Sequence, residues 1–313
     1  MSSISVIIPA YNAEKFIGEA IESALNQTRP AKEIVVVDDA STDRTVEIAR
    51  SFGDRVKVLV NKVNSGPGAS RDRGAQAAAG DSLAFLDADD YWLPTHLDTL
   101  AQLLEGFPEV ALAVSRAELT GSRTGVWPDH LPMEDKQPTD FFLTFMRMTF
   151  SHPTAWLVRR AVWAKVGGFK EIKEYYKGKR IQAEDYYFLL RIAHKHLICG
   201  TSDVTYRYRW HDQQSSAVGI SQLIMVFKYR MAMLETMGTT DPRYALAVDR
   251  MVRHWECKLE EQWVRRNSTA LRLLVRYGLE NPLLANATFP YRTKARLPSG
   301  VVAVRDMAVK VFK

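Results

Sequence analysis

The chain has 313 residues, 46% of them hydrophobic and 25% charged, with a formal net charge of +6. This is the balance of a globular protein with one large domain or one domain plus an extension, and the longest apolar-rich run, residues 141–150, is broken by Arg147 and too short to span a bilayer. Two distant cysteines, Cys199 and Cys257, exclude a thiolate metal framework and are expected as buried packing residues of a reducing compartment.

The start, Ile4-Ser5-Val6-Ile7-Ile8-Pro9, has no basic leader or long apolar stretch and is expected as a first strand rather than a secretory signal. Residues 13–27 follow with Phe16, Ile17, Ala20, Ile21, Ala24 and Leu25 at helical spacing. The plan repeats in Glu33-Ile34-Val35-Val36-Val37-Asp38-Asp39, where Ser41 and Thr42 offer caps for a helix through about Phe52. A third strand, Val56-Lys57-Val58-Leu59-Val60, leads through a loop of small residues to an alanine-rich helix over 69–79. Then comes an apolar run, Ala84-Phe85-Leu86, that ends in Asp87-Ala88-Asp89-Asp90 before Tyr91-Trp92.

Carboxylates at the tip of a buried strand need cations or donors to offset their charge. Asp87 and Asp89 are two apart, so an extended backbone points both to one side, where they can share a hard divalent cation. The plain alternative is a strand followed by an acidic helix cap, and Asp90 in particular is placed to cap a helix beginning near Pro94. Strands alternating with helices imply an α/β fold with a mostly parallel sheet covered on both faces, whose ligands bind beyond the carboxyl ends of the strands. Gly66-Pro67-Gly68 lacks the third glycine of a dinucleotide fingerprint, because Arg71 stands there.

Val6-Ile7-Ile8-Pro9-Ala10-Tyr11-Asn12, Val36-Val37-Asp38-Asp39-Ala40-Ser41-Thr42-Asp43, Asn64-Ser65-Gly66 before Arg71, and Phe85-Leu86-Asp87-Ala88-Asp89-Asp90 occur in this order. The ordered set resembles family 2 glycosyltransferases over roughly the first 215 residues. The resemblance implies a GT-A fold, a nucleotide-sugar donor, most often a UDP-sugar, and a Mn²⁺ or Mg²⁺ ion. Pro9, Tyr11, Glu14, Asp39, Asn64, Arg71, Asp87 and Arg209 would bind the donor. Asp89, Asp87 and His211 would form the metal shell. Arg71 is followed by Asp72 where the family usually has Asn, and Asp72 can instead pair with Arg71 or Arg73.

Further on, His152-Pro153-Thr154-Ala155-Trp156 followed by Val166-Gly167-Gly168-Phe169 resembles the family's acceptor segment, with Lys170 in place of its frequent Asp. Glu184-Asp185 at a helix start is unremarkable alone. The resemblance makes Asp185 the general base of an inverting single displacement, with Glu184 as the second candidate. Tyr206-Arg207-Tyr208-Arg209-Trp210-His211 resembles the family's Tyr-Arg-x-His segment. Tyr206 occupies the place of the Gln in the processive synthases' motif, so one sugar per encounter is expected.

Residues 1–216 carry 26 Lys and Arg against 28 Asp and Glu, whereas 217–313 carry 16 against 8. The expected organisation is a catalytic domain over 1–216 and a basic helical extension over 217–313, with apolar stripes Leu223, Ile224, Phe227, Met231, Leu234 and Trp255, Leu259, Trp263. The basic clusters and the tail over 290–313 suit a phospholipid surface better than nucleic acid; a solvated helix face, a capping helix or a dimer contact are the alternatives. Cell-surface polysaccharide synthesis from the cytoplasmic side, on a saccharide or lipid-linked saccharide acceptor, is the expectation. A sugar nucleotidyltransferase and a non-catalytic glycan- or partner-binding module are the competing functions.

Overall fold

The computed structural model describes residues 2–128, 135–147, 152–169, 175–176, 179–180, 183–211, 220–265 and 267–288. In chain order its elements are β1 (Ile4–Ala10), α1 (Ile17–Leu25), β2 (Glu33–Asp38), α2 (Thr45–Ser51), β3 (Lys57–Val60), α3 (Pro67–Ala77), β4 (Ser82–Phe85), β5 (Tyr91–Trp92), α4 (His96–Gly106), β6 (Val110–Gly121), β7 (Gly125–Trp127), β8 (Pro138–Thr139), α5 (Phe142–Phe145), β9 (Trp156–Arg159), α6 (Arg160–Val166), the hairpin β10 (Tyr175–Tyr176) and β11 (Lys179–Arg180), α7 (Glu184–Lys195), β12 (Leu197–Trp210), α8 (Ile220–Met237), α9 (Tyr244–Val264), α10 (Ser268–Glu280) and α11 (Ala285–Thr288). The chain divides into two units: 1–141, 149–172 and 184–214 form the first, and 142–148, 173–183 and 215–313 the second.

The first unit is built on one sheet in the order β3-β2-β1-β4-β9-β6-β12-β5, with β7 beside β6 and β8 beside β12. Its first four strands are parallel, as the repeated strand–helix pattern requires. β9 then runs antiparallel between β4 and β6, while β12 is parallel to β6, so the sheet is mixed. Every residue of β1 and β4 is buried. Helices cover both faces of these strands, and each fully buried Ile or Val contributes about 1.5–3 kcal/mol. α3 lies on β1 and β2 through a face of small residues, and a Cβ at Gly74 would fall 2.5 Å from the Ile7 side chain and 3.2 Å from Val37.

α4 opens with His96, which is fully buried, stacked on Trp92 with 4.4 Å between ring centroids, and joined through Nδ1 to Thr205 Oγ1 at 2.7 Å. Thr205 donates onward to Ser115 Oγ, tying α4 to β12 and β6. Asp90 does not cap this helix. The residue preceding α4 is Thr95, which makes no side-chain cap, and Asp90 is buried among partners described below.

Apart from the β10–β11 hairpin, the second unit is helical over its described residues. Phe227, Leu234, Trp255 and Leu259 of the expected stripes are buried, together with Met225, Tyr229 and Met233. Its core also holds charge: Arg230 is buried, meets His254 Nδ1 at 2.7 Å and donates to the Phe145 carbonyl. Trp255 Nε1 donates to Thr288 Oγ1 at 2.8 Å. Cys199 is buried as expected, whereas Cys257 is exposed on α9, where the helix turns it off the Trp255–Leu259 stripe. No helix among the described residues is long and apolar enough to cross a membrane. The segment 290–313 lies outside the described residues.

Candidate active site

β1 pairs with β2 on one side and β4 on the other, so the polar turns after all three strands share one end of the sheet. The turns after β1 and β2 are laced together. Asn12, at φ 48°, donates its N–H to Ser41 Oγ, and its side-chain oxygen accepts from Thr42 N. Glu14 N donates to Asp43 at 3.0 Å, and Glu14 Oε2 accepts from Arg44 N at 3.1 Å. Asp39 accepts from Asn61 Nδ2 at 2.7 Å, Ser65 N at 2.9 Å and Gly66 N at 2.7 Å, which folds the loop after β3 around it. Pro9 is buried near the end of β1, Tyr11 in the turn after it is 52% exposed, and Asn64 is exposed in the loop that clasps Asp39.

The tip of β4 is a different environment. Asp87 and Asp89 are half-buried and Asp90 is buried. Asp90 accepts from the Thr154 hydroxyl at 2.8 Å and from Arg209 N at 2.9 Å. Arg209 Nε donates to the Asp89 carbonyl, its guanidinium also pairs with Glu19, and it lies over the rings of Phe16 and Tyr91. His211 Nε2 is 3.0 Å from Asp89 Oδ2. Burial raises the pKa of Asp89, and the Asp87 charge adds to it against the opposing pull of His211. Burial raises Asp90 further, reinforced by Asp89 and Asp87. Asp89 and Asp90 are thus held away from their ionised forms, a cost that a bound cation would offset.

Donor atoms fit that cation. One ligand atom each from Asp87, Asp90 and His152 lie within 4.8 Å of one another. Burial brings the His152 pKa down to about 4, so at neutral pH the ring is uncharged and offers a lone pair. The sequence-expected set, Asp87, Asp89 and His211, shares Asp87 with this one. His152 is walled by Trp127, stacked at 5.3 Å, and Tyr208 at 4.4 Å, and its Nε2 is 3.1 Å from the Tyr206 hydroxyl.

Opposite Asp87 stands the start of α7. Arg71 of α3, 5% exposed, donates to Asp87 Oδ1 at 2.6 Å and to Glu184 Oε1 at 3.0 Å. Asp185 is half-buried and accepts from Tyr186 N; burial raises its pKa, and the Arg71 charge works to lower it. Asp72 pairs with neither neighbouring arginine. It accepts from Trp163 Nε1 and from Phe169 N, both at about 3 Å, while Arg73 donates to Asn61.

The family model described as "Glycosyl transferase family 2" matches residues 5–167, which includes β1 to β4 and the acidic tip. The chain belongs to glycosyltransferase family 2. Among named relatives, TuaG of Bacillus subtilis, a "putative teichuronic acid biosynthesis glycosyltransferase", is 37% identical over 115 residues, 36% of this chain and 44% of its own. The Escherichia coli glucosyltransferase WfaP is 38% identical over 106 residues, 34% of this chain and 42% of its own. The chain spans only 38% and 61% of two uncharacterized Haemophilus influenzae glycosyltransferases that it also matches. In structure it is similar to S. aureus TarS 1-349 solved with UDP-GlcNAc, at a TM-score of 0.67 and 22% identity, covering 94% of this chain and 90% of that one. The Pyrobaculum calidifontis mannosyltransferase PcManGT, solved with GDP-Man and Mn²⁺, gives 0.62 at 17% identity, covering 100% and 88%. These solved neighbours carry the GT-A fold.

For this family 2 chain, the sequence-expected residues thus fall into two groups. Pro9, Tyr11, Glu14, Asp39 and Asn64 lie at the carboxyl ends of β1 and β2 and in the loop after β3; Arg71, Asp87, Asp89, Glu184, Asp185, Arg209 and His211 gather around the tip of β4. Glu19, His152 and Thr154 belong to the second group without having been singled out for it. Glu19 carried no signal, because it acts through a partner far along the chain; His152 and Thr154 stood inside the acceptor-like segment.

Proposed function

We propose that the chain is an inverting, metal-dependent glycosyltransferase that moves one sugar from a nucleoside-diphosphate sugar, a UDP-sugar, to a hydroxyl of a saccharide or lipid-linked saccharide. The observation that carries this reading is the acidic tip Asp87-Ala88-Asp89-Asp90 facing Asp185 across the buried Arg71, with carboxyls held above their ordinary pKa. Asp39, Tyr11, Pro9, Glu14 and Asn64 lie where a base and ribose would be received. Asp87, Asp89 and His211, or Asp87, Asp90 and His152, would hold Mn²⁺ or Mg²⁺. When bound, such an ion supplies positive charge for the departing diphosphate, worth several kcal/mol.

Asp185 takes the proton of the acceptor hydroxyl as its oxygen bonds to the anomeric carbon. The bond from that carbon to the nucleoside diphosphate breaks on the opposite face, which inverts the configuration. A raised pKa suits this work, since it makes the carboxylate a stronger base. Catalysis is assigned to 1–216 and a basic helical extension to 217–313, with peripheral contact to the inner face of the membrane through 290–313. Support for a cell-surface product comes from the relatives' names, teichuronic acid biosynthesis for TuaG and a diphosphoundecaprenol-linked substrate for WfaP. Support for the donor comes from the TarS complexes with UDP and UDP-GlcNAc.

The test is a panel of UDP- and GDP-sugars with and without Mn²⁺, reading nucleoside diphosphate release and, by NMR, the anomeric configuration of the product. Metal-dependent release with inversion is expected. Retention of configuration, or equal rates in chelator, contradicts the mechanism.

A further inference from the structure

The acidic tip of β4 is braced by a side chain from another part of the sheet. Asp90 N donates to the Asp87 carbonyl at 3.0 Å, so Asp87-Ala88-Asp89-Asp90 is a tight turn with Ala88 and Asp89 at its corners. The Thr154 hydroxyl bridges the two ends of that turn. Its oxygen accepts the Asp87 N–H at 3.2 Å, and its proton goes to Asp90 Oδ2 at 2.8 Å. A hydroxyl has one proton to give, so accepting from one end and donating to the other fixes its orientation. Arg209 N donates to the other oxygen of Asp90, and Trp92 Nε1 holds the Thr154 carbonyl at 2.9 Å.

β9 brings Thr154 to this place. Leu157 of β9 pairs with Ala84 of β4 in antiparallel register, which sets the short helical turn Pro153–Ala155 against the tip. His152, two residues earlier in extended backbone, offers its ring to the same carboxylates. Thr154 and Asp90 are both fully buried, so bulk water does not take over a hydrogen bond lost between them. Groups behind the ligands of a metal ion fix the ligands' orientation, and losing one typically costs about 10- to 100-fold in metal affinity.

We propose that Thr154 is a positioning residue for the cation: its hydroxyl holds the Asp87–Asp90 turn in the shape that brings Asp87 together with its fellow ligands. This rests on the reading that the acidic tip binds Mn²⁺ or Mg²⁺. A brace of the fold alone would lower the stability of the metal-free protein and leave the affinity of the folded protein for the ion as it was.

The experiment measures Mn²⁺ binding to the full chain in saturating UDP, by the electron paramagnetic resonance signal of the free ion, for wild type, Thr154→Val and Thr154→Ser. Circular dichroism checks that each is folded. Valine keeps the shape of threonine without the hydroxyl, and serine keeps the hydroxyl. Expected is a Mn²⁺ Kd weakened about tenfold or more in Thr154→Val and within about threefold of wild type in Thr154→Ser. A Thr154→Val Kd within threefold of wild type overturns the proposal, and so does equal weakening in both variants, because the hydroxyl would then not be the group that matters. Should Thr154→Val fail to fold, Thr154→Ala carries the measurement with the same two outcomes. A wild type that binds no Mn²⁺ sinks the cation reading and the proposal with it, whereas Mn²⁺ bound equally by wild type and Thr154→Val sinks the proposal alone.

Discussion

Two acidic clusters stand at strand ends on either side of β1 in the same sheet, and they are held in opposite ways. Beyond β2, Asp39 accepts three N–H donors. Its neighbour Asp43 is pushed up by burial but brought below its ordinary pKa by the Thr45 hydroxyl and the N–H groups of Glu14 and Thr45. Beyond β4, Asp89, Asp90 and, across from them, Asp185 have their pKa values raised, chiefly by burial. The first cluster is a finished piece of structure, its carboxylates satisfied by N–H and hydroxyl donors. The second is held at a cost that a bound cation and the chemistry would relieve, as functional sites commonly are.

The largest expected effect is at the second cluster. Asp185→Asn should lower kcat by about 10² to 10⁴ while nucleotide binding persists, measured by diphosphate release and calorimetry. Because the Asp185 pKa is raised, wild-type turnover should fall as pH drops through that raised value, and the residual rate of Asp185→Asn should lack this acid limb. Asp89→Asn should cost about 10² to 10³ in turnover, yet without added cation it should melt no lower than wild type, since a repelled carboxylate has been removed. Asp39→Asn should do the reverse. One carboxylate oxygen that accepts N–H groups is lost, so stability should drop by about 2 kcal/mol in urea unfolding whether or not metal is present. If Asp39→Asn and Asp89→Asn have the same effect on metal-free stability, the contrast between the clusters is wrong.

A further effect, silent at neutral pH, lies outside both clusters. Burial depresses the His96 pKa to about 3, so between its ordinary value near 6.5 and about 3 the unfolded chain takes up a proton that the folded chain refuses. Stability from this residue is present above about pH 6.5 and is lost as pH falls, at about 1.4 kcal/mol per pH unit. His96→Gln should flatten the pH dependence of urea unfolding by that amount between pH 6 and 4, and an unchanged slope would refute the assignment.

Much of the frame was legible in the chain. The β-branched runs of β1 and β2, the acids at their ends and the Asp87-Ala88-Asp89 tip declared a sheet with a polar rim, and their order declared the family. Periodicity also picked out Phe227, Leu234, Trp255 and Leu259. What stayed hidden was pairing. Asp90 sits where a helix cap belongs, but its partners are Thr154 and Arg209, 64 and 119 residues away. Arg71 reads as a phosphate ligand from its neighbours, and only the approach of α7 to α3 shows the carboxylate it meets. The antiparallel insertion of β9 between β4 and β6 has no local signature either, because Trp156-Leu157-Val158 would suit a buried strand of either direction. In the helical unit, the contact of buried Arg230 with His254 Nδ1 is likewise a pairing that no local pattern declares.

The most direct test of the cation site is thermal unfolding of wild type and Asp89→Asn across a Mn²⁺ titration in the presence of UDP. Binding to the folded state alone stabilises by about 2.7 kcal/mol at a ligand concentration 100 times its Kd. The account predicts a midpoint that climbs with Mn²⁺ in wild type and stays flat in Asp89→Asn. Equal shifts in both proteins, or none in either, would contradict it.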